Sequence, residues 1–125
     1  MKNKLILSTL PKTWIFDLDG TIVKHNGYKI DGKDTLLKGC KEFFEKISKD
    51  DMVLIVTARE AKYKEETEEF LRENNIRYNF IIYDAPKGER IIINDQKPNG
   101  LNCSVAINTK RDCFCDTEII FDEKI

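Results

Sequence analysis

The sequence predicts an α/β fold, a parallel sheet with helices packed on its faces, and three observations predict it. Two runs, "TWIFDLD" (13–19) and "MVLIVTA" (52–58), are apolar almost throughout, as strands buried on both faces are. Segments with apolar residues at helical spacing follow each of them, the alternation that builds parallel sheets. The chain has 125 residues, 41% of them hydrophobic and 34% charged, enough for one domain, 1–125, with a real core.

Taken in order, the opening "MKNKLILSTLPKT" has a Lys-flanked apolar stretch too short for a signal-peptide core, with no small-residue cleavage site. No run approaches the roughly 18 apolar residues of a membrane span, so the protein reads as cytoplasmic, with no membrane partner. "TWIFDLD" is a strand bounded by Pro11 and Gly20. In "IVKHNGYKI", Asn26-Gly27 is a hairpin signal, because both turn positions need positive φ, and it predicts a small β-hairpin over 22–30. "DTLLKGCKEFFEKISKDD" (34–51) predicts a helix with Asp34 or Thr35 as N-cap and Leu36, Leu37, Cys40, Phe43, Phe44 and Ile47 inward. After the strand "MVLIVTA", "KYKEETEEFLRENN" (62–75) is a second amphipathic helix, with Tyr63, Thr67, Phe70 and Leu71 inward. Its acidic run, Glu65 to Glu69, reads as a solvated face whose charge suits the first half of a helix. "YNFIIYD", "RIIIND" and "SVAINT" predict three more short strands. The tail "TEIIFDEKI" adds either an edge strand or part of a subunit contact.

The formal net charge of −1 gives no general field for nucleic acid, which makes that partner unlikely on charge alone. The four cysteines, Cys40, Cys103, Cys113 and Cys115, match no zinc spacing and read as free thiols.

Two carboxylates one residue apart, Asp17 and Asp19, end the first strand, where folding alone gives them no purpose. Ligands of open α/β sheets bind beyond the carboxyl ends of the strands. A carboxylate pair there can hold a divalent cation, which removes the mutual repulsion. One carboxylate can attack phosphorus, and the other can protonate the leaving oxygen and then activate water. Gly20 permits the sharp turn, and Thr21 can hydrogen-bond across it.

"DLDGT" after an apolar strand resembles the first motif, D-x-D-x-T, of the haloacid dehalogenase superfamily of phosphotransferases, matched by Asp17, Asp19 and Thr21. The resemblance implies a Rossmann-like three-layer sandwich. It makes Asp17 the nucleophile that becomes an aspartyl-phosphate and Asp19 the general acid/base, whose backbone carbonyl also binds Mg²⁺. It makes the expected hairpin the β-flap that gates the site. Three further motifs follow in order. Thr57 in "VLIVTAR" would bind the phosphoryl group through its hydroxyl and backbone N–H. Lys87 in "APKGER" would neutralise charge, with Lys97 as its substitute. Asp95 in "IIIND" would complete the metal site. The sequence departs from the family pattern by placing Asn94 where a second acidic residue is usual, and by putting Lys87 only eight residues before Asp95. Arg59, beside Thr57, either grips a substrate anion with its fork or pairs with Glu60 or another surface neighbour.

About 15 positions separate Thr21 from Leu36 and about 29 residues separate Thr57 from Lys87, which leaves no room for a cap domain. The resemblance therefore implies a capless, Mg²⁺-dependent phosphatase. Its expected substrate is a small phosphorylated metabolite, a sugar or sugar-acid phosphate of a cell-surface polysaccharide pathway. His25 and Lys29 on the flap would help to bind it, and a homo-oligomer would close the pocket near the flap. The alternatives are a polynucleotide-end or phosphoprotein phosphatase and, in another class, a non-catalytic binding or regulatory module on the same fold.

Overall fold

The structure, a computed structural model, describes residues 3–125. Its elements are β1 (Lys4–Leu7), β2 (Thr13–Phe16), α1 (Gly27–Ile30), α2 (Cys40–Glu45), β3 (Met52–Val56), α3 (Lys64–Glu73), β4 (Phe80–Ile82) and β5 (Glu118–Phe121). A 3₁₀ turn, Ala61–Tyr63, leads into α3. The fold is Rossmann-like α/β, with parallel strands in open sheets. The chain divides into two compact units. One comprises the residues up to Leu10, Lys87–Asn108 and Asp116–Ile125; the other comprises Pro11–Pro86 and Thr109–Cys115. No helix among the described residues is long and apolar enough to cross a membrane.

The Pro11–Pro86 unit holds the sheet β2-β3-β4, with Phe16 opposite Ile55 and Val56 opposite Ile82. Strand alternation turns Phe16, Val53 and Ile55 to one face, where they pack with Phe44 of α2, Leu71 of α3, Ile76 and Phe114. Parallel neighbours joined by crossovers of one hand put both crossover helices on the same side, so these two helices form one layer. The opposite side of the same strands carries Ile15, Met52, Phe80 and Ile82, all exposed. Cys40 is buried at the start of α2, and burial, then the charge of Glu42, pushes its thiol up to about 12.

A buried carboxylate ties the start of this sheet together. Asp51, 8% exposed, accepts from the Lys12 backbone N–H at 2.9 Å and from the Trp14 indole Nε1 at 2.8 Å. Hydrogen bonds to a charged group contribute about 1.5–3 kcal/mol each, so Asp51→Ala should destabilise the chain by about 2–4 kcal/mol in urea denaturation. A loss under about 1 kcal/mol would show that another group takes over both donors.

Four sequence expectations are corrected here. The hairpin over 22–30 is not formed. Asn26 does take the left-handed conformation, at φ 55°, but Gly27 does not. The Asn26 carbonyl accepts from Lys29 and Ile30, and the chain makes the single helical turn α1 instead. The excursion is closed farther out, where Val23 pairs antiparallel with Leu36 and the Lys24 N–H donates to the Thr35 carbonyl at 2.9 Å. That pairing takes Leu36 and Leu37 out of the first long helix, which begins at Cys40 behind Gly39, whose φ is 89°. Neither Asp34 nor Thr35 is its N-cap.

"RIIIND" and "SVAINT" do not become strands; the segment 87–108 carries only a bridge between Gln96 and Asn102. Parallel pairing needs a crossover of about a dozen residues or more, and only eight separate Ile82 from Ile91. Ile91 and Ile93 are 81% and 94% exposed. In the same unit, "TEIIFDEKI" does supply a strand: β5 pairs in parallel with β1, Lys4 opposite Glu118. Finally, the acidic run of α3 is not wholly solvated. Glu68 accepts from the Tyr78 hydroxyl at 3.2 Å and the Tyr83 hydroxyl at 3.0 Å, which ties the helix to both ends of β4. Burial, with Glu68 adding to it, pushes both tyrosines above their usual range.

Candidate functional site

Asp17 and Asp19 stand where β2 ends, on either side of Leu18, whose side chain is fully buried. The Leu18 carbonyl accepts from the N–H groups of Thr21, Ile22 and Val23 at 3.2, 2.9 and 3.1 Å, which winds the "DGTIV" segment into a tight loop. Gly20 is required there: its φ is 86°, and a Cβ would lie 3.3 Å from Arg111 Cγ. Thr21 Oγ1 donates to Asp17 Oδ2 at 3.4 Å, the cross-turn bond that the sequence suggested. A returning segment braces the loop from outside. The Asp112 N–H donates to the Gly20 carbonyl at 2.8 Å, and the His25 N–H donates to Asp112 Oδ1 at 2.7 Å. Phe114 anchors that segment against Phe16 and Phe43.

Thr57 follows β3, next to β2 in the sheet, and is 1% exposed. Its N–H donates to the Ile82 carbonyl at 2.9 Å, and its carbonyl accepts from Ala85 at 3.0 Å. The backbone N–H expected to bind a phosphoryl group is therefore engaged in extending the β3-β4 ladder. The hydroxyl oxygen accepts from the Arg59 N–H at 3.0 Å, folding the "TAR" turn back on itself.

Arg59 is the centre of the site. Its Nη2 and Nε donate to Asp19 Oδ1 and Oδ2 at 2.7 and 3.3 Å. Its Nη1 and Nη2 donate to Asp34 Oδ2 and Oδ1 at 2.9 Å each, and Nη1 also reaches Thr67 Oγ1 at 2.9 Å. The guanidinium has five N–H donors, and these five bonds use them all. The Tyr28 ring lies 3.9 Å from the guanidinium carbon. Burial opposes the Arg59 charge, but the hydrogen bonds it donates to Asp34 and Asp19, with the charges of both, prevail and hold its pKa above the usual value. The surface pairing that the sequence offers as one alternative for Arg59 is not formed. The side chain is 1% exposed, it pairs with neither Glu60 nor a surface neighbour, and in this arrangement it has no donor left for a substrate anion.

His25 is half-buried beside this loop, and Lys29 is exposed on α1, its Nζ 5.6 Å from the Tyr28 ring. A cleft of about 630 Å³ opens beside the cluster, lined by Tyr28, Asp34, Arg59, Lys62, Tyr63 and Glu69 among others. Lys87, Asn94 and Asp95 belong to the other compact unit, all exposed on irregular chain. The Asn94 side-chain amide donates to the Asp95 carbonyl at 3.1 Å and Oδ1 at 3.4 Å. No group of three or more His, Cys, Asp or Glu side chains suited to a metal occurs among the described residues. Asp17 and Asp19 fit a hard cation such as Mg²⁺ in donor type and fall short of it in number. Asp34, Tyr28 and Thr67 are the residues whose part here the sequence did not reveal.

No protein-family description matches the chain, and no curated protein matches it. Solved structures do. A chain of a structure described as the Pnkp1/Rnl/Hen1 complex is 28% identical over 66% of this chain, with a TM-score of 0.51. A chain of another, described as the Pnkp1/Rnl/Hen1 RNA repair complex, is 26% identical over 71%, with a TM-score of 0.52. This chain spans 31% and 30% of the length of those two chains.

Proposed function

We propose that this chain is a phosphomonoester hydrolase of the haloacid dehalogenase type and that its substrate is a terminal phosphate on RNA. One observation carries the proposal. The tight loop at the end of β2 presents Asp17 and Asp19 together, and Asp19 is held on both oxygens by Arg59 from the loop after the neighbouring parallel strand. A carboxylate in a fixed pose beside a second one suits acid/base work next to a nucleophile. In the proposed reaction an Asp17 oxygen attacks phosphorus and the bond from phosphorus to the leaving oxygen breaks. That oxygen takes a proton from Asp19, which gives an alcohol and an aspartyl-phosphate. Asp19, now a carboxylate, takes a proton from water as the water oxygen attacks phosphorus, which releases phosphate and restores Asp17. Mg²⁺, when bound, would neutralise charge between Asp17 and the phosphate, and Asp17 and Asp19 are the residues that would hold it.

RNA is favoured over the sugar phosphate because one of the matched structures is described as an RNA repair complex, whereas only size and layout support the sugar-acid reading. A net charge of −1 provides little attraction for a polyanion, so the chain should act on an RNA end without gripping a long stretch of backbone. The test is phosphate release from oligoribonucleotides with a 3′- or 5′-terminal phosphate, and from a panel of sugar phosphates, with Mg²⁺ and with excess chelator. The expected result is Mg²⁺-dependent release from an oligonucleotide end, with the sugar phosphates slower. Preference for a sugar phosphate would return the substrate to the metabolite reading, and undiminished turnover in chelator would remove Mg²⁺ from it.

A further inference from the structure

We propose that Asp34 is a positioning residue that sets the direction of the Asp19 carboxylate through Arg59; this rests on the reading of Asp19 as the proton donor to the leaving oxygen. Asp34 stands at the end of the excursion that leaves the motif loop, and its side chain is 6% exposed. Two bonds of 2.9 Å fix one edge of the guanidinium. A guanidinium is planar and rigid, so fixing one edge fixes its plane and with it the edge that holds Asp19. Nη2 is common to both carboxylates, at 2.7 Å from Asp19 and 2.9 Å from Asp34. Thr67 Oγ1 and the Tyr28 ring remove the remaining freedom.

Stability alone is a poor reason for this arrangement. One carboxylate is enough to neutralise Arg59, and bringing a second acidic side chain into the buried cluster costs desolvation. Orientation is what the second carboxylate adds. When the bond from phosphorus to the leaving oxygen breaks, Asp19 must already point its proton at that oxygen. A misdirected donor matters most where the leaving oxygen is strongly basic, as on a sugar alcohol, and least where it is a nitrophenolate that departs without help.

The experiment compares Asp34→Asn with the parent chain on two esters: an oligoribonucleotide with a terminal phosphate and 4-nitrophenyl phosphate. The expected loss of kcat is about tenfold or more greater on the oligonucleotide than on the aryl ester, with KM on each within about threefold of the parent. Circular dichroism establishes that the variant is folded. Should it not fold, Thr67→Val takes its place: it withdraws one acceptor from the same guanidinium nitrogen and should show the same asymmetry at smaller size. Equal losses on the two esters would make Asp34 a structural anchor only, and no loss on either would remove it from the reaction. A parent inactive on both esters would overturn the phosphatase reading itself, a result separate from either of these.

Discussion

Asp17→Asn is expected to reduce phosphate release by on the order of 10⁴-fold or more while leaving the fold in place. The two side chains are nearly the same size and shape, but an amide oxygen does not attack phosphorus. The bond from Thr21 Oγ1 to Asp17 Oδ2, 3.4 Å in the parent, can be kept by the amide oxygen. The bonds that wind the loop on the Leu18 carbonyl come from the N–H groups of Thr21, Ile22 and Val23, and they do not involve the side chain of residue 17. Thermal unfolding should therefore move by only a few degrees. Residual turnover within about tenfold of the parent, in a variant purified free of the parent enzyme, would rule out covalent catalysis at Asp17. An activity lost together with the fold would instead give residue 17 a structural part.

The strands of the central sheet were legible in the sequence because their signal is local. "TWIF", "MVLIV" and "FII" are apolar runs of strand length, and the first two precede helical patterns that supply the crossovers. The misread elements depended on partners distant in sequence. "IIIN" has the composition of a strand but lacks the connection that would bring it into the parallel sheet. "LL" at 36–37 has helical spacing but pairs with residues 22–23, a contact that periodicity does not encode. The site divides in the same way. Asp17, Asp19 and Thr21 lie on one turn and were readable as a motif, and their local bonds follow from their spacing. The Arg59 fork is aimed by residues 40, 25 and 8 positions away, and a single sequence carries no signal that Asp34 and Thr67 are its acceptors. Charge alone would have directed that arginine outward. Burial, with a carboxylate on each edge, turns it inward.

The same burial makes Arg59→Met the most damaging substitution expected for stability. The methionine fills much of the space beside Tyr28 but donates nothing. It leaves Asp19, Asp34 and Thr67 without the five bonds that Arg59 makes, and it leaves two carboxylates facing each other where the parent has a cation between them. Those side chains are 16% and 6% exposed, so water cannot replace the guanidinium fully. Breaking a buried ion pair from one side costs about 3–5 kcal/mol, which for a chain of this size is a fall in melting temperature on the order of 10–20 °C. Arg59→Lys should recover little, because an ammonium has three donors on one atom and cannot span both carboxylates as the planar fork does. The charge argument has its own test in a second substitution. If repulsion between uncompensated carboxylates is the main cost, Arg59→Met with Asp34→Asn should be more stable than Arg59→Met alone, although Asp34→Asn by itself destabilises the parent. The coupling between the two changes should be about 1–3 kcal/mol. Additive losses in urea denaturation would mean that Arg59 stabilises the fold through packing against Tyr28 and not through the charges it joins.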